Sequence, residues 1–319
     1  MLKLSNMVKS SNMMETLPEK VLVASPRAFC AGVERAIRMT DELRSKVSGP
    51  IYVYHEIIHN KPVVVEFRAK EVVFVDDIED IPDDSNAEFS AHGVTNKVRQ
   101  RAKEKGLHWL DATCPLVRKV HDERDRFIAE GRQIILFGHK GHDETVGTVN
   151  DNPENIKLVT SISDLDSLEV RNPEKLALLT QTTLSVDDTK EVADAIRRRF
   201  PNIVEPKKED ICFATQNRQN GVKEMVKLWA EVILILGSQN SSNSQRLKEV
   251  AQSFGVKGYL FDDVYEFDLD WILGKRIIGI TAGASAAPER VDELTAHLKN
   301  LGISNFEEVV VAREGFNFK

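Results

Sequence analysis

Short apolar runs alternate along the chain with longer segments in which apolar residues recur every three or four positions. Residues 21–24, 134–137 and 232–236 are runs of this kind. Val33 and Ala36 mark one face of the segment that follows the first run. Short apolar runs are typical of buried strands, whereas a spacing of three and four is typical of an amphipathic helix. The alternation predicts an α/β fold with small, mostly parallel sheets and right-handed crossovers.

The same order of elements occurs three times, as strand, cysteine and helix, followed by two strands that each end in a polar turn before a helix. We therefore predict three similar α/β lobes. A loose N-terminal extension covers residues 1–20, a first lobe 21–108, a second 109–208, and a third with the C-terminal tail 209–319. Lobes arranged around a pseudo-threefold axis would bring their turns to one central cavity, because ligands of parallel sheets collect at the carboxyl ends of the strands.

Composition narrows the class of protein. The 319 residues include 43 Lys and Arg against 50 Asp and Glu, which gives a net charge of -7. Such a balance argues against a broad positive surface for nucleic acid or anionic membranes. No apolar run approaches the roughly 18 residues of a membrane helix, and residues 1–20 lack the apolar core of a secretory signal. We expect a cytoplasmic protein with neither a nucleic-acid nor a membrane partner.

The three cysteines, Cys30, Cys114 and Cys212, each lie just before a predicted helix. A helix N-terminus lowers the pKa of a thiol and favours the thiolate that binds metals. Incidental buried cysteines are the ordinary alternative, and the repeated setting argues against it. Structural zinc sites use four ligands, often in close pairs that are missing here, whereas soft thiolates also select iron-sulfur clusters. Three thiolates would leave one iron of a cubane cluster open as a Lewis acid.

Polar side chains are concentrated in the predicted turns after the strands. The candidates are His59, His92, His142, Thr182, Ser241, Ser242, Asn243 and Ser285. Donors of this kind, backed by helix amides, suit a phosphate or diphosphate group. For each residue alone, a surface histidine or a helix cap is the alternative.

Glu144 lies two residues after His142, in the same turn. A carboxyl group in a partly closed cavity can have its pKa raised enough to donate a proton. A solvated loop acid is the alternative that spacing alone favours. The chain contains neither G-x-G-x-x-G nor the P-loop pattern, so electrons for a redox reaction would have to come from another protein or reagent.

Long motifs surround these residues. They are 26–33 (PRAFCAGV), 55–60 (HEIIHN), 90–94 (SAHGV), 111–117 (DATCPLV), 138–142 (GHKGH), 180–185 (TQTTLS), 210–212 (DIC), 240–244 (NSSNS) and 281–285 (TAGAS). With these motifs, the chain from residue 21 onward resembles the 4-hydroxy-3-methylbut-2-enyl diphosphate reductases, which catalyse the last step of the methylerythritol phosphate route to isoprenoids.

The resemblance implies a three-lobed α/β fold with a central 4Fe-4S cluster bound by Cys30, Cys114 and Cys212, whose fourth iron takes the substrate's hydroxyl oxygen. It also implies that the polar turn residues contact the diphosphate and hydroxyl groups, and that Glu144 is the proton donor. Two electrons and two protons remove the hydroxyl as water and leave an allyl species, whose protonation gives isopentenyl or dimethylallyl diphosphate. A ferredoxin or flavodoxin is the implied electron donor.

Two residues beside Glu144 depart from the usual pattern of this family. Asp143 stands where a proline is common, and Thr145 stands where a valine is common. The stretch 286–288 also looks one residue longer than in many members. We expect these changes to affect rates and the product ratio rather than the type of reaction. The competing interpretation is a non-catalytic thiol or metal protein on the same scaffold, which leaves the His, Ser, Asn and Glu side chains without a role.

Overall fold

A computed structural model describes residues 16–315 and residue 318 of the chain. Residues 1–15 of the predicted N-terminal extension lie outside the described residues. The strands are β1 (Lys20–Ser25), β2 (Ile51–Tyr54), β3 (Val72–Val75), β4 (Asn86–Phe89), β5 (His108–Asp111), β6 (Gln133–Phe137), β7 (Ile156–Val159), β8 (Leu176–Thr180), β9 (Val232–Leu236), β10 (Lys257–Phe261), β11 (Ile277–Ala282) and β12 (Phe306–Val310).

The α-helices alternate with these strands along the chain. They are α1 (Ala31–Lys46), α2 (Lys61–Ala69), α3 (Asn96–Glu104), α4 (Pro115–Ala129), α5 (Asp143–Val149), α6 (Val186–Arg199), α7 (Phe213–Lys227), α8 (Ser242–Ser253) and α9 (Pro288–Asn300). Short 3-10 helices cover Ile78–Asp80, Ile162–Leu165, Val264–Glu266 and Leu269–Trp271. No helix in the described part of the chain is long and apolar enough to cross a bilayer.

The strands form three sheets, and every pairing between the named strands is parallel. The strand orders are β10-β9-β11-β1-β12, β3-β2-β4-β5 and β7-β6-β8. Every residue of β6, β8 and β9 is buried, which is typical of parallel strands with helices on both faces. The prediction of an α/β fold with small parallel sheets is confirmed.

The cysteines lie where the chain passes from one sheet to the next. After β1 of the five-stranded sheet, Cys30 leads into α1, which packs on the four-stranded sheet. After β5 of the four-stranded sheet, Cys114 leads into α4, which packs on the three-stranded sheet. Cys212 leads into α7, which returns to the five-stranded sheet. The three crossings between sheets therefore each carry one thiol.

Two strands belong to a different sheet from the one that the predicted lobes imply. β1, predicted in the first lobe, pairs with β11 and β12 near the C-terminus. β5, predicted in the second lobe, pairs with β4 in the sheet of the first. An apolar run is compatible with any parallel sheet. Which strands it pairs with depends on long-range packing, and the local sequence pattern carries no information on that.

The strand predicted before Cys212 is also wrong. In its place the described residues have a single bridge between Val204 and Ala177. The segment 205–211 carries Pro206 and four charged residues before Asp210, and such a segment cannot form a buried strand.

Candidate active site

One cavity of about 110 Å³ lies at the carboxyl ends of strands from all three sheets. It is lined by every site residue predicted from the sequence, namely Cys30, His59, His92, Cys114, His142, Glu144, Thr182, Cys212, Ser241, Ser242, Asn243 and Ser285. The structure therefore brings together residues that are spread over most of the chain.

Each cysteine is the N-cap residue of a helix: Cys30 of α1, Cys114 of α4 and Cys212 of α7. The three thiols are free and partly buried. A methyl group built on Gly32 would lie 2.7 Å from Sγ of Cys114, so the glycine keeps space open beside the sulfur. Three soft donors around a space that a side chain would fill match the requirements of a group held by three thiolates.

The prediction of a lowered thiol pKa is wrong for two cysteines. Burial, with a smaller contribution from the neighbouring Cys30, raises the pKa of Cys114 to about 12 and that of Cys212 to about 11. The N–H of Thr215 donates to Sγ of Cys212 at 3.3 Å, but this bond does not compensate for the loss of hydration. The thiolate form would require the positive charge of a bound metal.

Glu144 is buried at the start of α5, with 3% of its surface exposed. Its Oε1 accepts the backbone N–H of Thr182 at 2.7 Å, and its Oε2 accepts the Thr182 hydroxyl at 2.9 Å. Burial, with a smaller contribution from the nearby Asp210, raises the pKa of Glu144 to about 7, although the two hydrogen bonds from Thr182 oppose the rise. The carboxyl group is therefore partly protonated near neutral pH, as a proton donor requires.

His59, His92 and His142 form a cluster on one side of the cavity. The rings of His59 and His92 stack with centroids 4.1 Å apart, and His142 meets both edge-on at 5.8 and 6.2 Å. Burial lowers the pKa of His142 to about 3 and the pKa of His92 well below its ordinary value. These two imidazoles are therefore neutral at physiological pH and can offer one N–H donor each.

The residues at the start of α8 form a hydrogen-bonded network with the turn after β11. Oδ1 of Asn243 accepts the N–H of Ala284 at 2.7 Å, and Nδ2 of Asn243 donates to the Thr215 hydroxyl at 3.3 Å. The hydroxyl of Ser285 donates to that of Ser241 at 3.1 Å. Small polar groups at a helix N-terminus are thus held in place at the cavity wall, an arrangement suited to an anion.

Among the lining residues that were not predicted in the site, two have polar side chains, Thr183 and Thr215. Thr183 donates its hydroxyl to Ser242 at 3.0 Å, and Thr215 contacts both Cys212 and Asn243. Thr215 follows Cys212 by three residues in the first turn of α7. That spacing places a residue on the same side of a helix start as its cap, and it could have identified Thr215 from the sequence.

Asp143 and Thr145, which depart from the family pattern, both make defined contacts in the structure. Asp143 is the first residue of α5, a position where both proline and an acidic residue are favourable. Its Oδ2 lies 3.8 Å from Nε2 of His59 and 3.9 Å from Nδ1 of His92. Thr145 is buried and donates its hydroxyl to Oε1 of Gln181 at 3.2 Å.

The fold and the cavity define an α/β protein with three parallel sheets, whose central site combines three thiols, a histidine cluster and a buried carboxyl group. The sequence model of the family described as LytB protein matches residues 21–299. The chain belongs to this family.

Relatives and a solved structure are similar over most of the chain. The 4-hydroxy-3-methylbut-2-enyl diphosphate reductase of Azoarcus sp. (strain BH72) is 51% identical over 282 residues, covering 88% of this chain and 90% of that protein. The protein of the same name from Tolumonas auensis is 46% identical over 293 residues, covering 91% and 94%. The structure of the E-1-hydroxy-2-methyl-but-2-enyl-4-diphosphate reductase from Plasmodium falciparum superimposes with a TM-score of 0.90 at 33% identity, covering 93% and 94%.

Proposed function

We propose that this chain is an oxidoreductase that converts (E)-4-hydroxy-3-methylbut-2-enyl diphosphate into isopentenyl and dimethylallyl diphosphate. The observation that carries the proposal is the convergence of three thiols, a buried carboxyl group and an array of neutral donors on one cavity. Relatives that share about half of the sequence bear the name of this reductase. In the reaction a C–O bond breaks, water leaves, and two electrons and two protons are consumed.

Cys30, Cys114 and Cys212 would hold a 4Fe-4S cluster, for which Gly32 leaves space beside the sulfur of Cys114. When bound, the cluster supplies single electrons and a Lewis-acidic iron. Three free thiols in one cavity suit a reducing compartment, and we place the protein in the cytoplasm on this ground.

The diphosphate would bind against the start of α8, where Ser241, Ser242 and Asn243 line the cavity together with Ser285. The helix N-terminus favours the negative charge, and the hydroxyl and amide groups can donate hydrogen bonds to phosphate oxygens. His59, His92, His142 and Thr182 would complete the contacts to the substrate. Because these donors are fixed by the fold, they also orient the allylic alcohol for reduction.

Glu144 would protonate the leaving hydroxyl group. Its carboxyl group faces the cavity and bonds Thr182 through both oxygens. The hydroxyl of Thr182 would link the carboxyl group to the substrate and so return a proton to Glu144 between turnovers. The electrons would come from a small redox protein of the ferredoxin or flavodoxin class.

The test is an anaerobic assay with an artificial one-electron donor. Protein purified without oxygen should be brown, with iron and sulfide in near-equal amounts. With reduced methyl viologen it should convert the hydroxylated diphosphate into both products. Replacing any one of the three cysteines by serine should remove iron and activity together, because oxygen is a poor substitute for thiolate on iron. A protein that holds the cluster but never reduces this substrate would contradict the proposal.

A further inference from the structure

A surface groove lies next to Cys114, separate from the central cavity. Its lining includes Thr113 and Pro115, the two neighbours of Cys114. Cys114 itself lines the central cavity. A single residue therefore connects the groove to a thiol that is proposed to bind the cluster.

Basic side chains predominate in this groove. Its charged residues are Arg35, Arg118, Lys119, Arg126, Asp122 and Glu123. The chain as a whole carries a net charge of -7. The charge of this groove is therefore opposite in sign to the net charge of the protein. A local field of this sign attracts a negatively charged partner and orients it during encounter.

Two of these arginines can exchange their present contacts for new ones. The side chains of Arg118 and Arg126 are 50% and 46% exposed. Arg118 contacts Asp111 at 3.2 Å, and Arg126 contacts both Glu123 and, at 2.7 Å, Glu130. Exposed ion pairs of this kind contribute little free energy, so a carboxylate of another protein can replace the present partner.

Two other surface grooves also reach a neighbour of a cysteine, and their charges differ. The groove at Phe29, next to Cys30, is lined by three acidic side chains and one basic side chain. The groove at Ile211, next to Cys212, is lined by four basic and three acidic side chains. The groove beside Cys114, with four basic and two acidic side chains, has the largest positive excess of the three.

We propose that the groove beside Cys114 docks the acidic face of a small one-electron carrier protein. This inference rests on the proposed function and adds the surface through which its electrons enter. Each docking event oxidises one carrier molecule by one electron, so two events supply the two electrons consumed per substrate. The path from the groove to the central cavity runs through the backbone of residues 113–115.

Reversing a charge in the groove should affect the docking of the carrier protein and leave the chemical reaction in the cavity unchanged. The variants are Arg118→Glu and Arg126→Glu. The matched control is Arg101→Glu, because Arg101 is 42% exposed and contacts Glu79 and Glu104, and it does not line the groove. The probe is a plant-type 2Fe-2S ferredoxin, a strongly acidic carrier. Its oxidised form is titrated into the holoprotein by calorimetry, and its reduced form is used as electron donor in the assay.

Each groove variant should weaken ferredoxin binding and raise the KM for reduced ferredoxin by roughly tenfold at low salt, in line with close charge pairs at other interfaces. Turnover with reduced methyl viologen and thermal stability should stay at the wild-type level, and Arg101→Glu should change none of these quantities. Unchanged ferredoxin binding and KM in both groove variants would overturn the proposal. If the wild type fails to turn over with methyl viologen, the proposed function fails, and the calorimetric titration still decides whether the groove binds the carrier.

Discussion

Glu144 bonds Thr182 through both oxygens of its carboxyl group, one to the backbone N–H at 2.7 Å and one to the side-chain hydroxyl at 2.9 Å. Glu144 follows β6 and Thr182 follows β8, which are adjacent strands of the three-stranded sheet. The sheet therefore fixes the distance between a buried acid and the hydroxyl that can pass protons to it.

We predict that Thr182→Val reduces turnover by about tenfold, which is less than the roughly hundredfold or more expected for loss of the acid itself, because the hydroxyl only relays the proton. The backbone bond to Glu144 survives in this variant, so iron content should change little, and substrate affinity should fall only by the loss of one hydroxyl contact. The measurement is steady-state kinetics with reduced methyl viologen. Thr40→Val is the control, because it removes a buried hydroxyl that bonds Ala36 and Glu88 and does not line the cavity. Equal turnover in Thr182→Val and in the control would show that the hydroxyl has no part in proton transfer.

Asp143 places a carboxylate beside His59 and His92, two residues that line the cavity proposed for the diphosphate. A negative charge near a polyanionic substrate weakens its binding through Coulomb repulsion. Asp143→Asn should therefore lower KM by roughly threefold to tenfold, since about 1 kcal/mol corresponds to a factor of five. Asp143→Pro should act in the same direction, because proline suits the first position of α5. A higher KM in both variants would mean that Asp143 supports the two histidines more than it repels the substrate.

Asn243→Ala should weaken substrate binding by about 1 to 3 kcal/mol, the cost of leaving buried partners unpaired. The buried amide bonds Ala284 and Thr215, so its loss also releases the turn after β11. The measurement is the dissociation constant of the diphosphate substrate. Asn202→Ala serves as control, because the amide of Asn202 bonds Glu174 at the surface. An unchanged dissociation constant in Asn243→Ala would exclude this part of the wall from the binding site.

The positions of most strand ends could be predicted from the sequence, and with them the twelve predicted residues that line one cavity. In a parallel sheet the residue after a strand is placed at the same edge whatever its neighbours are. His59, His92 and Glu144 could therefore be assigned to one cavity before any distance was known. The strands themselves could be located from their apolar runs, because the length and period of such a run are local properties of the sequence.

The pairing of strands between distant parts of the chain was not predictable. β1 and β5 joined sheets other than those expected, because their apolar runs are compatible with several parallel neighbours. The thiol pKa values also departed from expectation, since the sequence indicates the helix ends but not the depth of burial that raises the pKa of Cys114. Both failures concern long-range packing.

Glu88 is a second buried carboxyl group, located outside the cavity in β4. Burial raises its pKa from 4.5 to about 8, and its Oε1 accepts the Thr40 hydroxyl at 3.2 Å. The unfolded chain loses this proton near pH 4.5, whereas the folded protein keeps it up to about pH 8. The contribution of Glu88 to the free energy of unfolding should therefore fall as pH rises between these values and level off above them.

Glu88→Gln removes that dependence, and at pH 8 it should unfold with a free energy roughly 1 to 3 kcal/mol higher than the wild type. The measurement is urea unfolding at several pH values. Glu154→Gln, at an exposed position, should leave the pH profile unchanged. A difference in unfolding free energy between wild type and Glu88→Gln that stays constant between pH 5 and pH 8 would contradict the raised pKa.

The central claim is that Glu144 donates the proton that allows the hydroxyl group to leave. The most direct measurement is steady-state turnover of Glu144→Gln with reduced methyl viologen, with iron content and substrate affinity determined on the same preparation. Turnover should fall by about a hundredfold or more, as for other losses of general acid catalysis, with both other quantities retained. The wild type should lose activity as pH rises through about 7, where the acid ionises. Glu88→Gln, which also removes a buried carboxyl group, should keep wild-type turnover. Wild-type turnover in Glu144→Gln would contradict the claim, and so would loss of iron from that variant.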